Sequence, residues 1–393
     1  MNKRKIFRRA VSMMFVVSIM LFAAVTHAEI YTGEGSYVMS EGENLGVSKE
    51  RAKADAMRNA TEKAGVYVKS YSRSKNFELE EDIIETMTAN ILKLVEDPKF
   101  LPYEQLDNLE GLMIRVIVKV QIDDSDINRW LNKDDNEKST LVSQNEALRK
   151  ANEEQARIIE DLKRQLANNP NDREQITKKF EAEDKIFLSN QKVEEGWNLW
   201  EKKDFNGAKN LFDEAVQLNP DNTQAYLGRG TSYASLKQNE RAIQEFDKAI
   251  QLNPNYAMAY NNRGSAYIDL KQYDKAIQDL NNAIQINPKF TEAYLNRGTI
   301  YSEVLKQYDM AIQDYNKAIE LNPNSDLAYS FRAWNYYCLK NYSQAIEDVT
   351  KAIQINPNNM HAYLIRRICY LALGDKAKAQ ADLAKAKELG YKG

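Results

Sequence analysis

The sequence has very little histidine and cysteine, which limits the chemistry that it can carry. Its 393 residues include two histidines, His27 and His361, and two cysteines, Cys338 and Cys369. Two cysteines cannot build a disulfide framework or a four-cysteine zinc site. A histidine-rich metal centre is excluded, and so is a catalytic triad that needs a histidine other than His361. We therefore predict no catalytic, cofactor-binding or metal-binding residues and a protein that is not an enzyme.

The amino terminus has the layout of a secretory signal peptide. Five basic residues precede an apolar run over residues 11–25, and small residues end at Ala28. The run is shorter than the roughly 20 residues of a membrane-spanning helix, although a retained anchor is the alternative. Cleavage after Ala28 removes five of the 54 Lys and Arg residues and none of the 57 acidic ones, which leaves a net charge of −8. We predict a periplasmic or secreted chain that binds no nucleic acid and has no stable membrane span after cleavage.

Residues 29–132 mix strand and helix patterns. The residues of segment 112–120 are β-branched and partly alternating, which makes this the strongest strand of the chain. Strands are predicted over 30–39, 66–72, 100–106 and 112–120, and helices over 48–64 and 79–95. This order predicts a small α+β domain with helices on one face of a sheet.

Four short segments of this region carry a family resemblance. They are residues 33–35, 52–60, 64–68 and 114–120. With them the region resembles the N-terminal domain of the flagellar assembly protein T family. The resemblance implies an exported domain without catalytic residues that helps to assemble envelope or flagellar rings. The chain lacks the further domains of that family, and a generic small α+β module is the alternative.

Residues 133–180 combine a polar linker with a heptad pattern. From Leu141 onwards a heptad pattern can be laid on the sequence. Its seam positions follow one another at alternating steps of four and three residues, as in a coiled coil. The positions are Leu141, Asn145, Leu148, Asn152, Gln155, Ile159, Leu162 and Leu166. We predict homo-oligomerisation through a coiled coil here, with a single helix that separates two domains as the alternative. Pro170 ends the pattern.

The carboxy-terminal half repeats every 34 residues. Prolines recur at spacings of 34, 34, 35 and 34, namely Pro220, Pro254, Pro288, Pro323 and Pro357. An alanine stands twelve residues and a small residue five residues before each proline, and a glycine or Ala333 marks the first helix of each unit. One extra residue around 302–306 predicts a lengthened turn.

With this period, residues 181–393 resemble the tetratricopeptide repeat (TPR) family. The resemblance implies an all-α superhelix of six helix-turn-helix units. It also implies a concave surface, lined by the first helix of each unit, that holds an extended peptide or a partner's helix. The basic residues of a carboxylate-binding clamp are absent, so we predict no clamp of that kind.

The predicted groove begins polar and ends apolar and aromatic. An apolar patch of this kind marks a binding site, and Trp and Tyr often supply interface energy. The candidate partner-binding residues are Asn261, Asn296, Trp334, Tyr337, Leu364, Ile368 and Leu371. In the alternative, Ile368 and Leu371 close the end of the superhelix and Trp334 fills a gap between helices.

An arginine recurs in five successive units. The residues are Arg229, Arg263, Arg297, Arg332 and Arg366. Such a ladder can bind an anionic ligand. We predict instead that it pairs with acidic residues of neighbouring helices, such as Asp279, Asp314 and Asp348.

The sequence as a whole predicts four segments. They are a signal peptide over 1–28, an α+β domain over 29–132, a linker and coiled coil over 133–180, and a TPR array over 181–393. This organisation predicts an exported, non-enzymatic scaffold that binds protein or peptide partners in envelope assembly or coordination. The alternatives are a flagellar or surface-structure assembly factor and an accessory subunit of an envelope enzyme.

Overall fold

The chain contains two compact units, residues 1–184 and 185–393. The computed structural model describes residues 28–40, 43–74, 81–102, 104–105, 111–131, 135–168 and 172–392. The predicted signal peptide, apart from Ala28, lies outside these residues. Within the described ranges, no helix combines the length and apolarity that a membrane crossing needs.

Two long antiparallel strands form the sheet of the first unit. Strand β1 (Ala28–Ser40) pairs along its whole length with β5 (Gly111–Asp123). The short strands β2 (Lys93–Leu94), β3 (Lys99–Phe100) and β4 (Glu104–Gln105) pair with the other side of β5. Alternate residues of a strand share a face, so one face of β5 is buried. Its residues are Ile114, Val116, Val118, Val120 and Ile122.

One long helix covers this sheet. Helix α1 (Leu45–Ser74) runs through residues 66–72, so the strand predicted there is wrong. A four-residue spacing of small and apolar side chains keeps one side of α1 on the sheet, and it outweighs the short alternation at 66–72. The fully buried residues are Ala52, Ala56, Ala60, Ala64 and Val68, whereas Val66 is 71% exposed.

Two glycines of β1 set the distance between α1 and the sheet. A Cβ atom on Gly33 would lie 2.0 Å from the carbonyl oxygen of Ala56. A Cβ atom on Gly35 would lie 2.3 Å from the backbone nitrogen of Ala56. Because both contacts are with helix backbone, no side-chain rotation relieves them.

The second half of the predicted coiled-coil seam packs within the chain. After helices α2 (Glu81–Ile91) and α3 (Asp124–Leu131), the chain enters the long helices α4 (Asp135–Asn168) and α5 (Arg173–Glu201). Seam residues of α4 form a buried cluster with α5, comprising Ile159, Leu162, Ile176 and Phe180, with Leu166 and Tyr37 at its border.

The rest of the seam differs along its length. Gln155 donates a 2.6 Å hydrogen bond to the Glu183 carbonyl oxygen, and Asn152 is exposed. The side chains of Leu141, Asn145 and Leu148 lie outside the described residues. Because residues 155–166 of the seam pack on α5, the same side chains cannot also form a seam with a second chain. Homo-oligomerisation stays a prediction.

A buried ion cluster joins the helices α4 and α5 to the sheet. Arg51 pairs with Glu43 at 3.4 Å and with Asp184 at 3.0 Å, and Lys163 pairs with Glu43 at 3.7 Å. The Tyr37 hydroxyl donates to Glu43 at 2.5 Å. Burial lowers the pKa of Lys163 and raises the pKa of Asp184. Removal of one partner would leave a buried charge uncompensated.

The second unit is a stack of antiparallel helix pairs. The helices that follow α5 are α6 (Phe205–Leu218), α7 (Thr223–Ser235), α8 (Asn239–Leu252), α9 (Ala257–Asp269), α10 (Tyr273–Ile286), α11 (Thr291–Thr299), α12 (Tyr308–Leu321), α13 (Asp326–Cys338), α14 (Tyr342–Ile355), α15 (Met360–Ala372) and α16 (Lys376–Glu388). A π-helical turn, Ile300–Val304, extends α11. The extra residue of this unit is thus absorbed inside the helix, which it widens locally, and not in a lengthened turn between helices, as we predicted.

Small residues let these helices approach closely. A Cβ atom on Gly230 would lie 2.6 Å from the Phe246 ring, and one on Gly298 would lie 2.8 Å from the Tyr315 ring. The alanines twelve residues before the prolines are fully buried, namely Ala208, Ala242, Ala276, Ala311 and Ala345. The rings therefore fill the space that the missing side chains leave.

Gly35→Ala is expected to lower the free energy of unfolding of the first unit by about 3 kcal/mol. The added methyl group meets the backbone of α1. Gly65→Ala is the matched control, because its Cβ atom would lie 3.8 Å from Ile84 and Thr88 and alanine favours a helix by about 1 kcal/mol. Urea unfolding monitored by circular dichroism measures both variants, and equal stabilities would contradict the close contact.

Candidate partner-binding surface

The first helices of the repeats carry all seven candidate residues. These helices are α7, α9, α11, α13 and α15, and we call the side chains that they present on the predicted concave side the first-helix surface. Asn261 is buried, Leu371 is exposed, and the other five candidates are half-buried. The candidates form a polar part around Asn261 and an apolar part from Trp334 to Leu371.

The polar part is a relay of amide side chains. Asn296 donates to the side-chain oxygen of Asn261 at 3.0 Å, and Asn261 donates to Asn262 at 3.2 Å. Asn262 donates in turn to the Thr231 hydroxyl at 3.3 Å. The relay links three successive first helices. Amide groups both donate and accept hydrogen bonds, so this row offers the groups that a peptide backbone requires.

Sequence reasoning missed Asn262. It stands 34 residues before Asn296, in the same register of the repeat. The shared repeat position of Asn262 and Asn296 could have identified Asn262 as a candidate. We selected the adjacent residue Asn261 instead. In the structure Asn261 forms hydrogen bonds with both Asn262 and Asn296.

The aromatic part lies on α13 and the start of α14. The rings of Trp334 and Tyr337 stack at 5.6 Å, with an angle of 27° between their planes. Tyr342, which the repeat pattern did not single out, contacts Tyr337 at 5.7 Å. All three rings are half-buried. Their stacking holds the rings in place, which reduces the conformational entropy lost when a ligand binds.

Helix α15, the first helix of the last repeat, adds aliphatic surface. Leu371 of α15 has 45% of its surface exposed, and Leu373 just after it has 55%. Leu364 and Ile368 on the same helix are half-buried. Together with Trp334 and Tyr337, these side chains give the end of the array an apolar character.

The predicted pairing of the arginine ladder is confirmed. Bidentate hydrogen bonds join Arg263 to Asp279 at 2.7 and 2.7 Å, and the same geometry recurs in the following units. The further pairs are Arg297–Asp314 at 2.9 and 2.6 Å, Arg332–Asp348 at 2.8 and 2.6 Å, and Arg366–Asp382 at 2.9 and 2.7 Å. The hydrogen bonds with Asp314 raise the pKa of Arg297.

Each of these guanidinium groups also lies over a tyrosine ring three residues earlier. The distance from Arg263 to the Tyr260 ring is 5.5 Å, and the distance from Arg332 to the Tyr329 ring is 5.6 Å. Cation–π attraction adds to the ion pairs. The ladder is therefore engaged in packing between helices, and its charges are neutralised inside the array.

The two cysteines are free thiols. Cys338 is half-buried and Cys369 is buried. Burial raises the pKa of Cys369 to about 11 and also raises the pKa of Cys338. Both thiols are thus protonated and weakly nucleophilic at neutral pH. Within the described ranges, no group of three or more His, Cys, Asp and Glu residues is placed to hold a metal ion.

Arg332→Met is expected to lower the free energy of unfolding by about 3 kcal/mol, because Asp348 would stay buried without a partner. Adding Asp348→Leu should recover most of this loss. Lys317→Ala serves as the control, since its ion pair with Glu320 is on the surface and is worth about 0.5 kcal/mol. Denaturant unfolding measures all variants, and a loss for Arg332→Met no larger than the control's would contradict a structural ladder.

Comparison with known proteins agrees with this architecture. Residues 174–363 match the family described as the tetratricopeptide repeat protein 21 C-terminal ARM domain. No curated protein matches the sequence.

Solved structures with similar chains include several repeat proteins. PilF of Pseudomonas aeruginosa is 19% identical, with 53% of this chain and 95% of that chain covered and a TM-score of 0.49. PilW, a type IV pilus biogenesis factor, is 20% identical over 51% of this chain and 93% of that chain, with a TM-score of 0.47. YrrB, a TPR protein with an unusual peptide-binding site, is 22% identical over 46% of this chain and 92% of that chain, with a TM-score of 0.39.

The assignment rests on the repeat itself. Helix pairs recur with the 34-residue period, glycine and alanine stand at the helix contacts, and the matched family covers residues 174–363. The helical repeat region of the chain therefore resembles a tetratricopeptide repeat array, and residues 174–363 match a tetratricopeptide repeat family.

Proposed function

We propose that this chain is an exported, non-enzymatic scaffold that binds a protein or peptide in the concave groove of its repeat array. The observation that carries the proposal is the aromatic and aliphatic surface on α13 and α15, next to the amide relay. Trp334 is half-buried and Leu371 is 45% exposed, so part of this apolar surface is not used in the core of the array. Exposed apolar groups beside ordered polar groups favour a partner.

The amide relay supports an extended ligand. An extended peptide offers one donor and one acceptor per residue, and Asn262 and Asn296 present both kinds of group. Successive residues of such a peptide are about 3.3–3.6 Å apart. The aromatic rings on α13 lie one unit further along the array than Asn296, so one bound segment can use both parts.

The amino terminus and the α+β domain support a proposal for the cellular role. The predicted signal peptide supports a periplasmic or secreted location. The resemblance of residues 29–132 to an exported assembly domain supports a task in envelope assembly or coordination. The second candidate, a flagellar or surface-structure assembly factor, rests on that same resemblance, and an accessory subunit of an envelope enzyme is the third.

Photo-crosslinking in cells tests the groove. A photoreactive amino acid at position 334 is expected to capture a specific protein, which mass spectrometry then identifies. The same probe at Gln354, which is exposed on the second helix of the same unit, is the control and should yield no such adduct.

Two outcomes would contradict the proposal. Adducts of equal abundance at positions 334 and 354 would show that the groove has no preference over the outer helices. No adduct at position 334, in a chain that purifies folded, would mean that Trp334 serves packing alone.

A further inference from the structure

Strand β1 lies at the outer edge of the sheet of the first unit. It pairs with β5 on one side, and the described residues include no strand that pairs with its other side. Thr32, Glu34 and Ser36 of this strand are exposed. An edge strand of thirteen residues presents a long row of backbone groups with which another strand can pair.

The register shows which backbone groups of β1 point outwards. The Lys119 carbonyl oxygen accepts a 2.9 Å hydrogen bond from the Val95 N–H, on the side of β5 away from β1. Residues directly opposite each other in an antiparallel pair either bond each other or both point away. Thr32 lies opposite Lys119, so its N–H and C=O groups point out of the sheet. The same holds for Glu34 and Ser36, because the direction alternates along a strand.

Side chains of α1 bind these outward groups. Each of three successive outward residues has one backbone group in a hydrogen bond with a polar side chain of the helix. We call the three side chains, Asp55, Asn59 and Lys63, the edge caps. The hydrogen bonds join Lys63 to the Thr32 carbonyl oxygen at 2.8 Å, Asn59 to the Glu34 carbonyl oxygen at 2.7 Å, and the Ser36 N–H to the Asp55 carboxylate at 3.2 Å.

The position of the edge caps follows from the sequence. They are four residues apart and thus form one row along α1, and each directly precedes an alanine of the buried row. Gly33 and Gly35 bring the helix backbone against β1, so even the short aspartate and asparagine side chains reach the edge. At the end of the strand, Lys163 of α4 continues the row with a hydrogen bond to the Val38 carbonyl oxygen.

We propose that the edge caps close β1 to strand addition by a second copy of this chain. Strand addition depends on main-chain hydrogen bonds at an unpaired edge, and the caps occupy those groups. A second copy is the partner that this edge fits, because two identical edges placed antiparallel form a self-complementary two-fold contact. Ile30, with 57% of its surface exposed, and the exposed Thr32 have side chains that favour strand pairing. The caps thus block self-association of the first unit.

Removal of the three edge caps tests the proposal. The variant Asp55→Ala/Asn59→Ala/Lys63→Ala keeps the net charge and places good helix formers on α1. We expect this full-length variant to self-associate with an affinity at least about 10-fold higher than that of the wild type, because the freed backbone groups pair with those of a second copy. Light scattering coupled to size-exclusion chromatography over a concentration series measures the association. Hydrogen–deuterium exchange within residues 28–40 should slow as the associated form increases.

Two control variants should keep the association of the wild type. Arg58→Ala/Glu62→Ala changes two exposed residues of the same helix and also keeps the net charge. Asp55→Asn/Lys63→Arg retains the native Asn59 and the hydrogen-bonding groups of the other two caps, while it alters one charge. Its agreement with the wild type would show that hydrogen bonding, rather than charge, closes the edge.

Three results would overturn the proposal. They are wild-type association of a folded triple variant, association that leaves the exchange of residues 28–40 unchanged, and association of either control to the same extent. If circular dichroism shows that the triple variant is unfolded, Asn59→Ala alone decides by the same measurements. Loss of this middle cap is expected to raise the affinity of self-association about 3-fold, and an unchanged affinity would contradict a closed edge.

Discussion

Both units depend on helix backbones that come unusually close to their neighbours. In the first unit, Gly33 and Gly35 allow α1 to lie directly on β1. In the second, Gly230 and Gly298 leave room for the rings of Phe246 and Tyr315. Dispersion attraction depends on such close contact, and an added gap of about 0.5–1 Å removes roughly a quarter to a half of it. These small residues therefore leave the space that the rings of Phe246 and Tyr315 occupy.

This constraint decides which surface remains for function. Each ladder arginine is neutralised by an acid and covered by a tyrosine, and the alanines are buried. What is left on the first helices is a polar row that ends in stacked aromatic and exposed aliphatic groups. The repeated residues are thus engaged in packing, whereas Trp334 and Leu371 depart from the repeat and keep part of their surface accessible.

The sequence predicted the periodic features well, because a 34-residue repeat specifies each packing position several times over. The arginine pairing was predicted for the same reason. Three predictions were wrong or incomplete because local sequence patterns do not determine the features concerned. The alternation at 66–72 gave way to the longer helical spacing of α1. The heptad over 141–166 did not reveal that α5 would occupy its second half. The extra residue near 302–306 was counted, but only tertiary packing decides whether a helix or a loop absorbs it.

The helix that carries each candidate residue was predictable from the repeat, but the contacts of its side chain were not. Register placed Trp334, Tyr337 and Leu371 on the first helices, whereas Asn262 was missed although it shares the register of Asn296. The contact of Tyr342 with Tyr337 joins two helices, so it is not visible in the sequence of a single helix.

Hydrogen–deuterium exchange of the full-length chain tests most directly whether the first helices hold the partner. Amide exchange is compared in the absence and presence of the partner that crosslinking recovers. We expect protection concentrated in the first helices, above all Asp326–Cys338 and Met360–Ala372. Protection confined to the second helices, or to the α+β domain, would contradict a ligand-binding groove on the concave side.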